Sequence, residues 1–159
     1  MKGITITIPV EHYQLDELAP NDRELVDRAL RATANAYAPY SNFYVGAALR
    51  LADNTIVIGA NQENAAFPSG LCAERTAIFA AQANHPDQPV LTLAIAARNQ
   101  DGLLDEPVSP CGACRQVILG IEDRYKQPIR VLLYGKKGVY CLRSAKDLLP
   151  FSFVDDSMK

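Results

Sequence analysis

The sequence has no tryptophan, only two histidines and only four cysteines among its 159 residues. It also lacks an excess of positive charge, because 18 Asp and Glu residues balance 16 Lys and Arg residues and the pI is near 5.7. A chain with this balance offers no electrostatic attraction to nucleic acid or to an anionic membrane. The composition therefore predicts a small-molecule partner and excludes nucleic acid and membrane partners.

No apolar stretch approaches the roughly 20 residues that cross a bilayer, and the N-terminus lacks the pattern of a signal peptide. We therefore expect a soluble, cytoplasmic protein. In that compartment four cysteines are expected to be free thiols, and the chain is long enough to fold without disulfides. Cys141 lies in an apolar stretch and is expected to be a small core residue.

Hydrophobic periodicity predicts one domain in which helices alternate with strands. The first helix is predicted to begin with Asn21 as its cap, to use Glu24 in a capping box and to end before Pro39. The other predicted helices start near residues 73 and 111, with a last helical turn at 145–149. Strands are predicted at 1–8, 44–51, 55–60, 90–97, 129–134 and 139–142. This order predicts an α/β fold, a three-layer α/β/α sandwich with a mixed sheet of about five strands.

Three cysteines stand at the predicted starts of two helices. Cys72 precedes one helix, while Cys111 and Cys114 are spaced i, i+3 at the start of another and so can share one face. A helix N-terminus favours the thiolate, which is the form that binds zinc. Three protein ligands leave one position of a tetrahedral zinc open for water, whose pKa the ion lowers toward about 7. The pattern predicts a catalytic zinc site.

Two charged residues follow Cys72 directly. Glu74 lies within one helical turn of it and is placed to move protons. Arg75 is on the same side of the helix as Cys72 and can donate hydrogen bonds to the thiolate sulfur, which offsets the charge of three thiolates. On its own, Glu74 would more often be a solvated helix residue than a catalyst.

Other interpretations of the cysteines stay open at this point. A Cys-x-x-Cys pair alone is often a redox pair or half of a structural zinc knuckle. The third cysteine argues against a redox motif. A structural knuckle would need a fourth ligand, but Cys141 lies in a strand pattern and the two histidines lack ligand spacing.

The segments 72–75 (Cys-Ala-Glu-Arg) and 110–116 (Pro-Cys-Gly-Ala-Cys-Arg-Gln) resemble the cytidine deaminase family. Zinc deaminases in general carry a closely related pattern with a proton-transferring glutamate. Segments 39–49, 59–65 and 148–153 also resemble this family. The resemblance covers about residues 21–153, so we expect an N-terminal extension at 1–20 and a deaminase domain at 21–159.

The resemblance implies zinc-dependent hydrolytic deamination of cytidine and 2′-deoxycytidine to uridine and 2′-deoxyuridine with release of ammonia, a reaction of pyrimidine salvage. One Zn²⁺ per subunit would be bound by Cys72, Cys111 and Cys114, and Glu74 would be the catalytic proton shuttle. Further positions match substrate contacts of the family: Asn61 and Glu63 for the ribose hydroxyls, Phe43 for the pyrimidine ring, and the backbone of Ala73 and Ser109 for its polar edge. Phe153 would reach into a neighbouring site of a homotetramer.

Cysteine as first ligand is similar to the short homotetrameric nucleoside enzymes, because polynucleotide and two-domain deaminases typically have histidine there. Phe67 stands where many members carry tyrosine. Three alternatives remain at this stage: a deaminase of another aminated nucleoside or base, a noncatalytic zinc-stabilised scaffold, and a thiol-disulfide oxidoreductase.

Overall fold

The computed structural model describes residues 1–159. Seven strands are present: β1 (Glu11–Tyr13), β2 (Tyr44–Leu51), β3 (Ile56–Ala60), β4 (Val90–Asn99), β5 (Gly102–Leu103), β6 (Arg130–Gly135) and β7 (Gly138–Leu142). Three α-helices accompany them: α1 (Pro20–Ala32), α2 (Ala73–Asn84) and α3 (Gly112–Tyr125). None of the helices is long and apolar enough to span a membrane.

All strands belong to one mixed sheet in the order β1-β7-β6-β4-β2-β3, with β5 paired to β4. β4 and β6 run parallel, whereas the other neighbours are antiparallel. A parallel pair needs a long crossover connection, and α3 lies in the one between β4 and β6. The predicted mixed sheet is confirmed, with seven strands in place of about five.

Successive residues of the central strands face opposite layers, as the period of two requires. Leu93 and Ile95 pack in a core with α2 and α3, while Ala94 and Ala96 pack in a second core with α1. The helices therefore cover both faces of the sheet, and the three-layer α/β/α prediction is confirmed. Cys141 lies buried in the α1 layer and all four cysteines are free thiols, as predicted.

The N-terminal prediction was wrong. Residues 1–8 alternate like a strand but form none, and the first strand lies at Glu11–Tyr13, paired with β7. Alternation measures only the fitness of side chains for a sheet, whereas a strand also needs a neighbour for its backbone hydrogen bonds. The chain provides no such neighbour for residues 1–8. β5 was also missed, because two residues are too short for a periodic signal.

The predicted start of the first helix was also wrong. α1 begins at Pro20 with Ala19 at the cap, so Asn21 and Glu24 lie inside the helix. Proline suits the first helical position because that residue has no intrahelical hydrogen bond to lose. Glu24 forms no capping box and instead accepts a hydrogen bond from Arg50 at 2.7 Å.

Two features of the sheet bring the starts of α2 and α3 together. β3 leads through a loop to α2, and β4 leads through another to α3, so both helices begin near the carboxyl ends of their strands. In open α/β sheets this edge is where ligands bind. A Cβ atom on Gly59 of β3 would lie only 2.5 Å from the Ala73 carbonyl oxygen. The absence of a side chain there lets α2 pack directly on the strand.

Candidate zinc centre

The three predicted ligand cysteines meet in one cluster, with all their Sγ atoms within 4.8 Å of one another. The Sγ atoms of Cys72 and Cys111 are 3.9 Å apart. A tetrahedral zinc with Zn–S bonds of about 2.3 Å separates its sulfurs by about 3.8 Å. Three convergent thiols at this spacing fit a zinc ion and leave one coordination position open.

Helix starts hold the cluster. Cys72 is the N-cap of α2 and Cys111 the N-cap of α3, both with extended backbone, while Cys114 lies in the first turn of α3. The positive ends of two helix dipoles therefore lie at the cluster and favour negative charge there. Burial differs among the three, since Cys114 is buried, Cys72 half-buried and Cys111 exposed.

The thiols of Cys72 and Cys114 differ strongly in acidity. A hydrogen bond from Cys114, followed by those from Arg75 and Cys111, lowers the pKa of Cys72 to about 5, although burial raises it. The pKa of Cys114 is raised, first by that hydrogen bond to Cys72 and then by burial. These surroundings favour the thiolate form at Cys72. A zinc ion would displace the remaining protons, because only thiolates bind it well.

Arg75 lies beside the cluster. Its Nη2 donates a hydrogen bond to Cys72 Sγ at 3.5 Å, and this bond raises the pKa of the guanidinium. The Nε of Arg75 is buried without a partner. The guanidinium therefore supplies positive charge next to sulfurs whose summed charge exceeds that of a zinc ion.

Glu74 occupies the first turn of α2 and is only 4% exposed. Burial, reinforced by the charge of Cys72, raises the pKa of its carboxyl group. A carboxyl group with a raised pKa gives up and takes back a proton more readily near neutral pH. The site therefore holds a buried carboxyl group with a raised pKa next to the three thiols.

A cavity of about 440 Å³ opens beside Cys72, Glu74 and Cys111. Three of the predicted substrate residues, Phe43, Asn61 and Ser109, line it. Further wall residues that the sequence did not single out are Ser41, Val45, Ile95 and Val108. Strand alternation places Ile95 on the same face as α2 and α3, so that residue carried a usable signal. Val108 lies in a loop, where no periodic signal exists.

Asn61 and Glu63 are both tied to the backbone near the start of β2. Asn61 donates to the Phe43 carbonyl at 2.9 Å and accepts from the Val45 N–H at 2.8 Å. Glu63 accepts from the Tyr40 and Ser41 N–H groups at 2.8 and 3.2 Å and from the Ser41 hydroxyl. The hydroxyl bond is the main cause of the lowered pKa of Glu63.

Glu63 does not line the zinc cavity. It lines a neighbouring cavity of about 390 Å³, whose other wall residues are Tyr40, Ser41, Asn64, Phe67 and Gly70. Ser41 borders both cavities, so the two are adjacent. The Phe67 ring packs edge-on against the Tyr40 ring at 5.5 Å.

The last two predicted residues lie at different depths. Ala73 is fully buried at the start of α2, next to both Cys72 and Glu74. Phe153 is 59% exposed and is not among the cavity residues. Its carbonyl accepts a hydrogen bond from Gln116 of α3 at 2.8 Å.

Comparison with known proteins agrees with this geometry. Residues 19–126 match the profile described as the cytidine and deoxycytidylate deaminase zinc-binding region. The cytidine deaminase of Sporosarcina psychrophila is 46% identical over 135 residues, which cover 85% of this chain and 93% of that protein. The cytidine deaminase of Halalkalibacterium halodurans is 38% identical over 138 residues, covering 86% and 98% of the two chains.

Solved structures give the same result. The crystal structure of cytidine deaminase from Burkholderia pseudomallei is similar with a TM-score of 0.70 and 40% identity, over 82% of this chain and 97% of that one. The enzyme from Mycobacterium tuberculosis has a TM-score of 0.63 and 32% identity, over 82% and 94%. From its sequence, its fold and its three-cysteine cluster, the chain belongs to the cytidine deaminase family.

Proposed function

We propose that this protein hydrolyses cytidine and 2′-deoxycytidine to uridine and 2′-deoxyuridine with release of ammonia. The observation that carries the proposal is the buried carboxyl group of Glu74 next to three convergent thiols that border a cavity of about 440 Å³. A structural zinc knuckle would have no use for an open coordination position or a buried acid. A redox dithiol would not need a third cysteine.

In this proposal Cys72, Cys111 and Cys114 would hold one zinc ion, which would supply Lewis acidity to the water that attacks the ring. Glu74 removes a proton from that water and passes it to N3 of the pyrimidine, which makes C4 more electrophilic. The water oxygen adds to C4. Glu74 then takes the remaining proton from the hydroxyl group added at C4 and delivers it to the amino group, so the C4–N bond breaks, C4 becomes a carbonyl and ammonia leaves. Arg75 offsets the charge of the thiolates throughout.

The substrate contacts are also proposals. Phe43 would pack on the pyrimidine, and the N–H of Ala73 with the carbonyl of Ser109 would bind its polar edge. Asn61 keeps one N–H and one lone pair beyond its two backbone hydrogen bonds, and these are available to a ribose hydroxyl. Glu63 would take part from the adjacent cavity, with its lowered pKa keeping it ionised as an acceptor.

We further propose a homotetramer in which Phe153 contributes to a neighbouring site. Phe151 and Phe153 are 86% and 59% exposed, and two large rings left in water at one end of the chain favour burial in an assembly. A role in pyrimidine salvage and a cytoplasmic location complete the proposal. Four free thiols suit a reducing compartment. Sedimentation and cell fractionation test the assembly and the location.

The function is tested by following ammonia release from cytidine, 2′-deoxycytidine and cytosine, with and without a zinc chelator. We expect release from both nucleosides, weak release from the free base, and loss of all release after chelation. Release from cytosine at the cytidine rate would refute the ribose contacts. Absence of release from every aminated nucleoside by zinc-loaded protein would refute the proposed enzyme.

A further inference from the structure

Cys111 is the most exposed of the three ligand cysteines. Cys114 is buried within α3, and Cys72 is half-buried and hydrogen-bonded to Arg75, whereas Cys111 is exposed and stands outside the helix as its cap. Packing therefore does not fix the side chain of Cys111. Its direction must come from the backbone on either side of it.

Arg115 holds that backbone at two consecutive carbonyls. Its own N–H donates to the Cys111 carbonyl at 2.9 Å, and its side-chain Nε donates to the Pro110 carbonyl at 2.8 Å. The first bond is the ordinary opening bond of the helix. The second reaches the peptide that enters Cys111, so the two bonds together orient both peptide planes next to the ligand.

The same guanidinium is also tied to the far end of the chain. Nη1 of Arg115 donates to the Leu148 carbonyl at 3.1 Å. Leu148 is only 6% exposed and packs in the same core as Cys114 and Ile118. The guanidinium is therefore fixed by a hydrogen bond to a buried residue. Because the group is planar and its N–H donors have fixed directions, it can hold the Pro110 and Leu148 carbonyls at a defined angle.

We propose that Arg115 is a positioning residue for the zinc centre. It acts through Pro110 on Cys111 and uses the C-terminal segment at Leu148 as its anchor. Without the side chain, Cys111 keeps its thiol but loses its fixed direction. Zinc then leaves the site faster, even when the rest of the fold is intact.

Neighbouring residues of α3 provide matched controls. Gln116 follows directly and binds the Phe153 carbonyl, so it ties the same C-terminal segment to the helix without touching Pro110 or Cys111. Arg124 lies at the other end of α3 and donates to Gln82 at 2.9 Å. Removal of either side chain costs a tertiary hydrogen bond but leaves the backbone before Cys111 alone.

The experiment uses full-length zinc-loaded protein and measures the rate of zinc transfer to a chromogenic chelator, with the free energy of unfolding measured in parallel. We expect Arg115→Ala to release zinc roughly ten- to a hundredfold faster, the factor that hydrogen bonds from a charged donor are worth. Arg115→Lys keeps the charge but not the fork, and should fall between the wild type and the alanine variant. Gln116→Ala and Arg124→Ala should release zinc at the wild-type rate.

A second readout separates positioning from a loss of general stability. In the cobalt-substituted protein, the thiolate-to-metal absorption bands should shift or weaken in Arg115→Ala and stay unchanged in Arg124→Ala. The proposal is wrong if the Arg115 variants release zinc at the wild-type rate, or if Arg124→Ala accelerates release equally. Should Arg115→Ala fail to fold, Arg115→Lys decides the question on the same two readouts.

Discussion

The substitution Gly59→Ala tests how the sheet places the first turn of α2. A Cβ atom at this position would lie 2.5 Å from the Ala73 carbonyl oxygen and from the Ala77 nitrogen. Ordinary contact begins at 3.4 Å, so the helix must withdraw by about 0.9 Å, the difference between the two distances. Both close atoms belong to the backbone, and no side-chain rotation can relieve the contact.

Two losses are expected from this displacement. Overpacking should lower the free energy of unfolding by about 1–3 kcal/mol. The same shift moves Cys72 and Glu74, and a misplacement of about 1 Å in a catalytic group can cost about a hundredfold in rate. Urea unfolding of the zinc-loaded protein measures the first loss, and kcat for cytidine measures the second.

Two other glycines serve as controls. A Cβ on Gly46 would lie 2.0 Å from the Ala29 carbonyl oxygen, which belongs to α1 on the opposite face of the sheet, so Gly46→Ala should lose stability but much less activity. Nothing lies within 4 Å of a Cβ on Gly120. Gly120→Ala should therefore gain about 0.5–1 kcal/mol from helix propensity. A Gly59→Ala protein with the wild-type kcat, or a Gly46→Ala protein whose kcat falls as far, would show that contact with β3 does not set the positions of Cys72 and Glu74.

Three further predictions concern the cluster and its support. Cys111→Ser should abolish stoichiometric zinc, whereas Cys141→Ala should keep it, as measured by metal analysis; equal zinc in both would contradict the assigned ligand set. Hydrogen bonds from Cys114 and Arg75 lower the pKa of Cys72, so Arg75→Ala should raise that pKa. Protons should then displace zinc from the variant at a higher pH than from the wild type. An unchanged midpoint of zinc loss in an acid titration would refute this role of Arg75. Glu122 is 4% exposed and accepts from the Ile129 and Ala145 N–H groups at 2.8 and 2.7 Å. Both N–H groups donate to the same oxygen, Oε2. Glu122→Ala should therefore lower the free energy of unfolding by about 1–3 kcal/mol, because it leaves buried N–H groups without an acceptor, and it should leave zinc binding intact. Unchanged stability would show that these hydrogen bonds do not stabilise the fold.

The zinc cluster was predictable from the sequence because its geometry is mostly local. A cysteine before a helix and a pair at i, i+3 need only the helix starts to be right, and the starts of α2 and α3 were close to their predicted positions. The central strands were predictable for a similar reason. An apolar run such as 90–97 is buried on both faces wherever its neighbours lie.

The sequence did not predict features that depend on contacts between residues far apart along the chain. Alternation at residues 1–8 predicted a strand, but no strand of the chain lies beside it to accept its hydrogen bonds. Nothing in the sequence around Asn61 indicated that its side-chain oxygen and nitrogen both form hydrogen bonds with the backbone, at Val45 and Phe43. The bond from Arg115 to Leu148 crosses 33 positions of sequence, and only the folded chain brings its two ends together.

We expect the buried carboxyl group of Glu74 to move the protons of the deamination. Zinc content and ammonia release from cytidine are measured on the same sample of Glu74→Gln, a change that keeps the size of the side chain and removes its acid. We expect one zinc per chain and a rate lower by about 10²–10⁴-fold or more, the usual contribution of a positioned proton carrier. A fully zinc-loaded Glu74→Gln protein that releases ammonia at the wild-type rate would show that Glu74 does not move these protons.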